Sequence, residues 1–219
     1  MRKKFALILL TGAMALTLAS AETVWADETG NQVFFRGGWA GMTSDRGSEV
    51  LTDVNSAAGR NDGQSGYYVG AGLDLVLSKD VWGMMSQTWA LGEIGVEYKH
   101  LGSRNVCQAT SALTGLGCGT LHKVQITMLT VDIAPKIKFM EGSRLRPWII
   151  PIGLDFHVIS PPSNDITVLD IGVQFGAGLE YRLYKAFHVG LDGRFHLTSN
   201  HTDTTNNFGT VGAYVGISF

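Results

Sequence analysis

From Leu169 to Leu183 apolar and polar residues alternate without a break. Leu169, Ile171, Val173, Phe175, Ala177, Leu179, Tyr181 and Leu183 share one parity, and Asp170, Gly172, Gln174, Gly176, Gly178, Glu180 and Arg182 share the other. A helix advances about 100° per residue and cannot separate those sets, whereas a strand advances about 180° and separates them fully. The run also exceeds the ~5–6 residues of an ordinary strand. Whatever this chain folds into must accommodate a long extended ribbon with one continuous apolar face.

The same division recurs along the chain. Phe187, Val189, Leu191, Phe195 and Leu197 oppose His188, Asp192, Arg194 and His196. Trp148, Ile150, Ile152, Leu154 and Phe156 are placed together against Pro147, Pro151, Asp155 and His157. Leu129, Val131, Ile133, Ile137 and Phe139 oppose Asp132, Lys136 and Lys138; Ala90, Ile94, Val96 and Tyr98 oppose Glu93, Glu97 and Lys99. Val69 to Leu77 and Val211 to Phe219 repeat the pattern, and a weaker first strand at about 32–43 sets Phe35 and Trp39 against Arg36. The reading is eight strands. Connections 44–65, 101–121, 159–168 and 199–207 are the longer, polar ones, and 79–87, 141–145 and Lys185-Ala186 the shorter. Long and short alternate, so an up-and-down meander gathers the long connections at one end. Outer-membrane barrels, with short periplasmic turns and longer outer loops, show that asymmetry.

Composition closes off other classes. The chain has 219 residues with 28 glycines, well above the usual ~7%, and a formal net charge of −2. That balance gives a nucleic-acid-binding surface no support. Outside the N-terminus no stretch reaches the ~18 apolar residues of a spanning helix. Residues 1–26 read as a signal peptide: Arg2, Lys3 and Lys4 precede the apolar run Phe5 to Leu18, with cleavage after Ala21 or Ala26. A barrel domain over 27–219 remains. Cys107 and Cys118, in an exported chain, read as a structural disulfide rather than a metal site.

Alternation does not say which face looks inward. A soluble lipocalin-type carrier would enclose a small apolar ligand, and an outer-membrane barrel would turn the same face to lipid. Aromatics on the apolar face favour lipid: Phe35, Phe139, Trp148, Tyr181, Phe187 and Phe219 at the short-turn end, and Trp39, Tyr67, Tyr98 and Phe156 toward the long-loop end. Gly172, Gly176 and Gly178 leave room on the polar face for long side chains. The terminal pattern Val211-x-Ala213-x-Val215-x-Ile217-x-Phe219 resembles the signal read by the barrel assembly machinery of the outer membrane. With Phe175-Gly176-Ala177-Gly178-Leu179-Glu180-Tyr181-Arg182-Leu183 and Gly193-Arg194-Phe195, the chain resembles the small eight-stranded outer-membrane superfamily of the OmpA transmembrane domain and the neisserial opacity proteins. The resemblance implies an all-β, eight-stranded antiparallel up-and-down transmembrane β-barrel of a Gram-negative outer membrane, in contact with outer-membrane lipid and carrying no cofactor. It carries over no peptidoglycan-binding domain.

A barrel of eight strands has an interior that side chains fill. The expected lumen ion-pair network comprises Glu93, Glu97, Asp132, Lys136, Lys138, Asp155, Glu180, Arg182, Asp192 and Arg194. Across Lys185-Ala186 the reading brings Glu180 near Asp192, with Arg182 and Arg194 completing a neutral quartet. Across 141–145 it sets Asp132 opposite Asp155, a pair that shares a proton, recruits a cation, or is neutralised by Lys99 or His157. A small-solute pore is a further alternative.

One motif points to chemistry. His196-Leu197-Thr198-Ser199-Asn200 is similar to the His-x-Ser-Asn segment of lipid A 3-O-deacylases of the PagL type, in which the histidine activates the serine. Here the serine comes one residue late, which turns it to the face opposite His196, and Asp203 is the one downstream acid. The expectation is therefore not an enzyme but a structural or surface-interacting, adhesin-like barrel. Its host or surface ligand would meet loops 44–65, 101–121 and 199–207.

Overall fold

The computed structural model describes residues 29–43, 65–107, 121–160, 168–199 and 207–219. Eight strands follow in chain order: β1 (Gln32–Met42), β2 (Ser65–Ser78), β3 (Trp89–Cys107), β4 (Leu121–Lys138), β5 (Leu145–Ser160), β6 (Val168–Tyr184), β7 (Phe187–Thr198) and β8 (Phe208–Ser218). Each pairs antiparallel with its sequence neighbours, and β1 pairs with β8, so the sheet closes on itself and leaves no edge. At the seam Phe219 N donates to Asn31 O (2.9 Å), and the Thr29 hydroxyl donates to the Phe219 carbonyl. The expected signal peptide at 1–26 lies outside the described residues. So do 44–64, 108–120 and 200–206, and Cys118 with them, so the expected Cys107–Cys118 disulfide falls outside the described residues. Strands β3 and β4 run on to Cys107 and from Leu121, so residues 103–107, expected in the 101–121 loop, are paired ladder.

The apolar face turns outward. Ile171 is 49% exposed, Phe175 39% and Leu179 49%, whereas Glu180 is 0% and Arg194 5% exposed. Inside sit the charges, several aromatics, and a smaller set of aliphatic and neutral polar side chains. This orientation overturns the ligand-carrier alternative, which needs the apolar face enclosed. Exposed aromatics band both ends, with Phe35, Tyr181, Phe187 and Phe219 toward the short turns and Trp39, Tyr67, Tyr98 and Phe156 toward the long connections. Trp82 and Tyr184 add to the turn end.

Trp148 and Ile150 depart from the expected alternation. Both are 1% exposed, although they share parity with the outward Ile152, Leu154 and Phe156. The cause is a bulge in β5. Ile150 pairs with Gly176 but Gly153 with Gln174, so one extra residue is accommodated around Pro151-Ile152. Both of those residues face outward in succession. Proline has no N–H to donate to a ladder and is tolerated where pairing is interrupted, and a bulge inverts the parity of everything beyond it. Trp148 therefore leaves the outer aromatic band and enters the lumen, where its Nε1 donates to Tyr214 Oη (2.9 Å).

Glycine creates the space for that indole. A Cβ at Gly178 would stand 2.5 Å from the Trp148 ring and 2.5 Å from the Leu191 carbonyl oxygen. Gly190 likewise lies under the Tyr214 ring. Gly178→Val is expected to lower folding stability by about 1–3 kcal/mol through overpacking, read from equilibrium urea unfolding in detergent micelles. Gly193→Ala, where the nearest atom to a Cβ is 3.9 Å away, is expected to move it far less.

Candidate functional site in the barrel lumen

Buried polar groups fill the lumen in tiers because alternate residues of all eight strands point there. Nearest the short turns, Glu180 is the acceptor for a cluster. Lys138 Nζ lies 3.3 Å from its Oε1, Tyr214 Oη donates to its Oε2 (3.2 Å), and Arg146 makes a close ion pair with it. Arg146 also pairs with Glu141 (3.0 Å) and touches His188. Arg182 stands at the rim, its side chain 34% exposed and 3.6 Å from Glu141.

The next tier is aromatic. Phe34, Ala134, Trp148, Ile150 and Tyr214 pack together. Lys136 threads between them, its ammonium 4.4 Å from the Trp148 ring centroid while it donates to Asp74 (2.8 Å) and Glu93 (3.0 Å). A cation over an indole face gains from the ring quadrupole, most where water is excluded.

The centre of the lumen is held by two guanidinium groups. Arg36 reaches Glu97 (2.6 Å), Asp132 (3.1 Å) and Glu93 (3.3 Å). Arg194 reaches Glu93 (2.5 Å), Asp192 (3.1 Å) and Asp132 (3.8 Å). Gln174 donates to Asp132 and accepts from Arg194. All these side chains are buried, so each ion pair forms where water does not compete.

Toward the long connections lies a fourth group. Asp132 and Asp155 are cross-strand partners, but they have different neighbours. Asp155 Oδ2 is 2.7 Å from His196 Nδ1 and 3.7 Å from His157 Nε2. Lys99 donates to Glu97 (2.5 Å) and to Thr130 Oγ1 (2.8 Å), and Thr130 Oγ1 is 2.9 Å from His157 Nδ1. Phe208 stacks on His196 at 4.2 Å and meets His157 edge-on at 5.3 Å. Above it Ala40, Tyr68, Leu101, Met128, Ile159 and Phe208 form an apolar layer across the lumen.

The expected quartet is not assembled as such. Glu180 faces Gly190, and Asp192 faces Gly178. The two-residue turn pairs Tyr184 with Phe187, a register that by itself would set inward Glu180 against outward Leu191. An extra residue between Arg182 and Tyr184 restores the faces and moves Glu180 away from Asp192. Glu180 and Arg182 therefore belong to the turn-end tier, and Asp192 and Arg194 to the centre. Arg146 and Glu141 escaped the sequence reading because the β5 bulge hides the parity of the first and a turn position that of the second. Arg36, on the polar face of the weak first strand and so expected among the lumen charges, is a hub.

For the deacylase-like motif, His196 is wholly buried in the lumen beside Asp155, while Ser199 Oγ donates to Asp170 Oδ1 (2.6 Å). The two side chains thus serve different carboxylates.

An outward apolar band, two aromatic girdles and an ion-paired interior together fit one architecture. The fold is that of the small eight-stranded outer-membrane barrels. No protein-family model matches the chain, and a search of curated proteins finds no match. Among solved structures, the barrel is similar to neisserial surface protein A (NspA) with 11% identity, covering 87% of this chain and 97% of that one at a TM-score of 0.58. The outer membrane enzyme PagL gives 14% identity, 86% and 99% coverage and a TM-score of 0.47. Ail, the attachment invasion locus protein of Yersinia pestis, solved with the heparin analogue sucrose octasulfate, gives 10%, 85% and 99%, and 0.46. Of these three only the first exceeds 0.5, and at such identities the likeness is one of fold.

Proposed function

We propose that the chain is an integral outer-membrane protein of a Gram-negative bacterium whose lumen is closed by its own ion pairs and whose outer connections meet a surface ligand. One observation carries the reading: the apolar side chains are outside and the charges inside. Such a barrel is stable only where its outer wall meets hydrocarbon. Lipid of the outer membrane is then its solvent, and the Val211–Phe219 pattern ending in Phe219 is its signal to the barrel assembly machinery. Glu93, Glu97, Asp132, Asp155, Glu180 and Asp192, with Lys136, Lys138, Arg182 and Arg194, act as structural plug residues, joined by Arg36 and Arg146. The adhesin-like role is supported by the polar, Gly- and Asn-containing connections 44–65, 101–121 and 199–207 and by the surface protein among the fold's neighbours.

The test combines location, conductance and binding. Expressed protein is expected in the outer-membrane fraction with a heat-modifiable gel shift, and recovery as a soluble periplasmic monomer would overturn the reading. In planar bilayers the purified barrel is expected to show no sustained open-pore conductance, because Arg36, Arg194 and Lys136 bridge the lumen. A steady ohmic pore would overturn the plug. Deleting residues 46–62 is expected to reduce binding to host cells or matrix proteins, and undiminished binding would clear that loop. Lipid A from expressing cells is expected to keep its acyl chains, by mass spectrometry, whether Ser199 is present or replaced by alanine.

A further inference from the structure

We propose that Asp155, His157 and His196 form a binding site for a divalent transition-metal ion, with zinc the best chemical match, inside the barrel near its long-connection end. The proposal is independent of what the outer loops bind.

Three observations converge on it. First, geometry: one donor atom from each residue lies within 4.8 Å of the other two, and all three residues are 0% exposed. A tetrahedral ion with ligands at about 2.0–2.2 Å holds its donors about 3.3–3.6 Å apart. The Asp155–His196 separation of 2.7 Å would open slightly and the Asp155–His157 separation of 3.7 Å would close slightly. Second, valency: Asp155 Oδ1, His157 Nε2 and His196 Nε2 are buried without a hydrogen-bond partner. Buried polar atoms are normally satisfied, and of these three His157 Nε2 is the one in the 3.7 Å approach to Asp155 Oδ2, where an ion would take its lone pair. Third, charge: among the described residues the buried cations Arg36, Lys99, Lys136, Lys138, Arg146 and Arg194 face nine buried carboxylates. A bound dication offsets most of that acidic excess.

The surroundings suit a metal. Thr130 Oγ1 contacts His157 Nδ1 at 2.9 Å, the outer-shell contact that orients a ligating imidazole and leaves Nε2 for the ion. The nearby ammonium of Lys99 is held by Glu97 at 2.5 Å, so its charge is compensated. Two imidazoles and one carboxylate select a zinc-like ion over magnesium or calcium, which prefer all-oxygen sites. The ligands come from β5 and β7, so the ion would tie together strands separated by β6. A tetrahedral ion on these three ligands would take water as its fourth.

The probe is Co2+ alone, added to untagged full-length protein refolded with and without chelator and followed by visible absorption in detergent micelles. The expected result is one equivalent of Co2+ with the intense ligand-field bands of a low-coordinate site, displaced by Zn2+. His157→Gln and His196→Gln are expected to weaken binding at least ~10-fold, while His188→Gln leaves it unchanged. The heat-modifiable gel shift reports whether each variant has folded. X-ray absorption of the Zn2+-loaded wild type supplies a readout that needs no variant, with nitrogen and oxygen scatterers including two imidazoles expected. Absence of binding by the folded wild type, binding undiminished in folded His157 and His196 variants, or a scattering pattern without imidazole would each overturn the site.

Discussion

Arg194→Ala is expected to destabilise the folded barrel by about 3–5 kcal/mol, the range for removing one partner from a buried ion network. Its guanidinium serves Glu93, Asp192 and Asp132 at once. Removing it leaves three buried carboxylates with only part of their countercharge, because Arg36 already bridges Glu93, Glu97 and Asp132. Equilibrium urea unfolding in detergent micelles, monitored by tryptophan fluorescence, measures the loss. Arg194→Lys keeps the charge but offers no planar fork for several carboxylates, so it is expected to fall between wild type and alanine. Lys185→Ala, an exposed turn residue, is the control and should change stability by less than ~0.5 kcal/mol. If Arg194→Ala unfolded at the wild-type midpoint, the central tier would carry none of the stability assigned to it.

Ile133→Arg is expected to cost about 2–4 kcal/mol in lipid vesicles, as for a cation near the midplane of a barrel's outer wall. Ile133 is 53% exposed and lies between Ile94 and Leu154 in the sheet, with Tyr98 and Phe156 further toward the long connections. Ile133→Leu should be tolerated within about 1.5 kcal/mol. The comparison isolates the solvent of the outer wall. In a water-soluble barrel an arginine at an exposed position would be nearly neutral, so an unchanged unfolding midpoint for Ile133→Arg would argue against hydrocarbon outside. The same substitution should slow or abolish folding into vesicles, read from the gel shift against time.

These two experiments address claims of different origin. That Ile133 and Asp132 lie on opposite walls was legible from period two alone, because successive strand residues must point to opposite faces. So were the eight strands and the end at which the long connections gather; Asp132 stands opposite Asp155 only because the β5 bulge shifts the register of the 141–145 turn, where Lys138 pairs with Trp148. Trp148 shows where that legibility stops. Its parity with Leu154 was read correctly from spacing, but one extra residue at Pro151-Ile152 reverses the face. A bulge changes no hydrophobic period within either half of the strand. The Glu180 register failed for the same reason, at the extra residue beside Tyr184.

The contacts across the lumen lay further still beyond the primary structure. Arg36 on β1 meets carboxylates on β3, β4 and β7, and His196 on β7 meets Asp155 on β5. None of these is a neighbouring-strand relation. Alternation sorts neighbouring residues onto two opposite faces locally. Which interior residues share a tier depends on strand tilt and stagger, quantities that exist only once the sheet has closed. The amino-acid order thus decided the barrel and its two faces, and closure decided the partners within, because distance across a lumen is a property of the whole ring rather than of any strand in it.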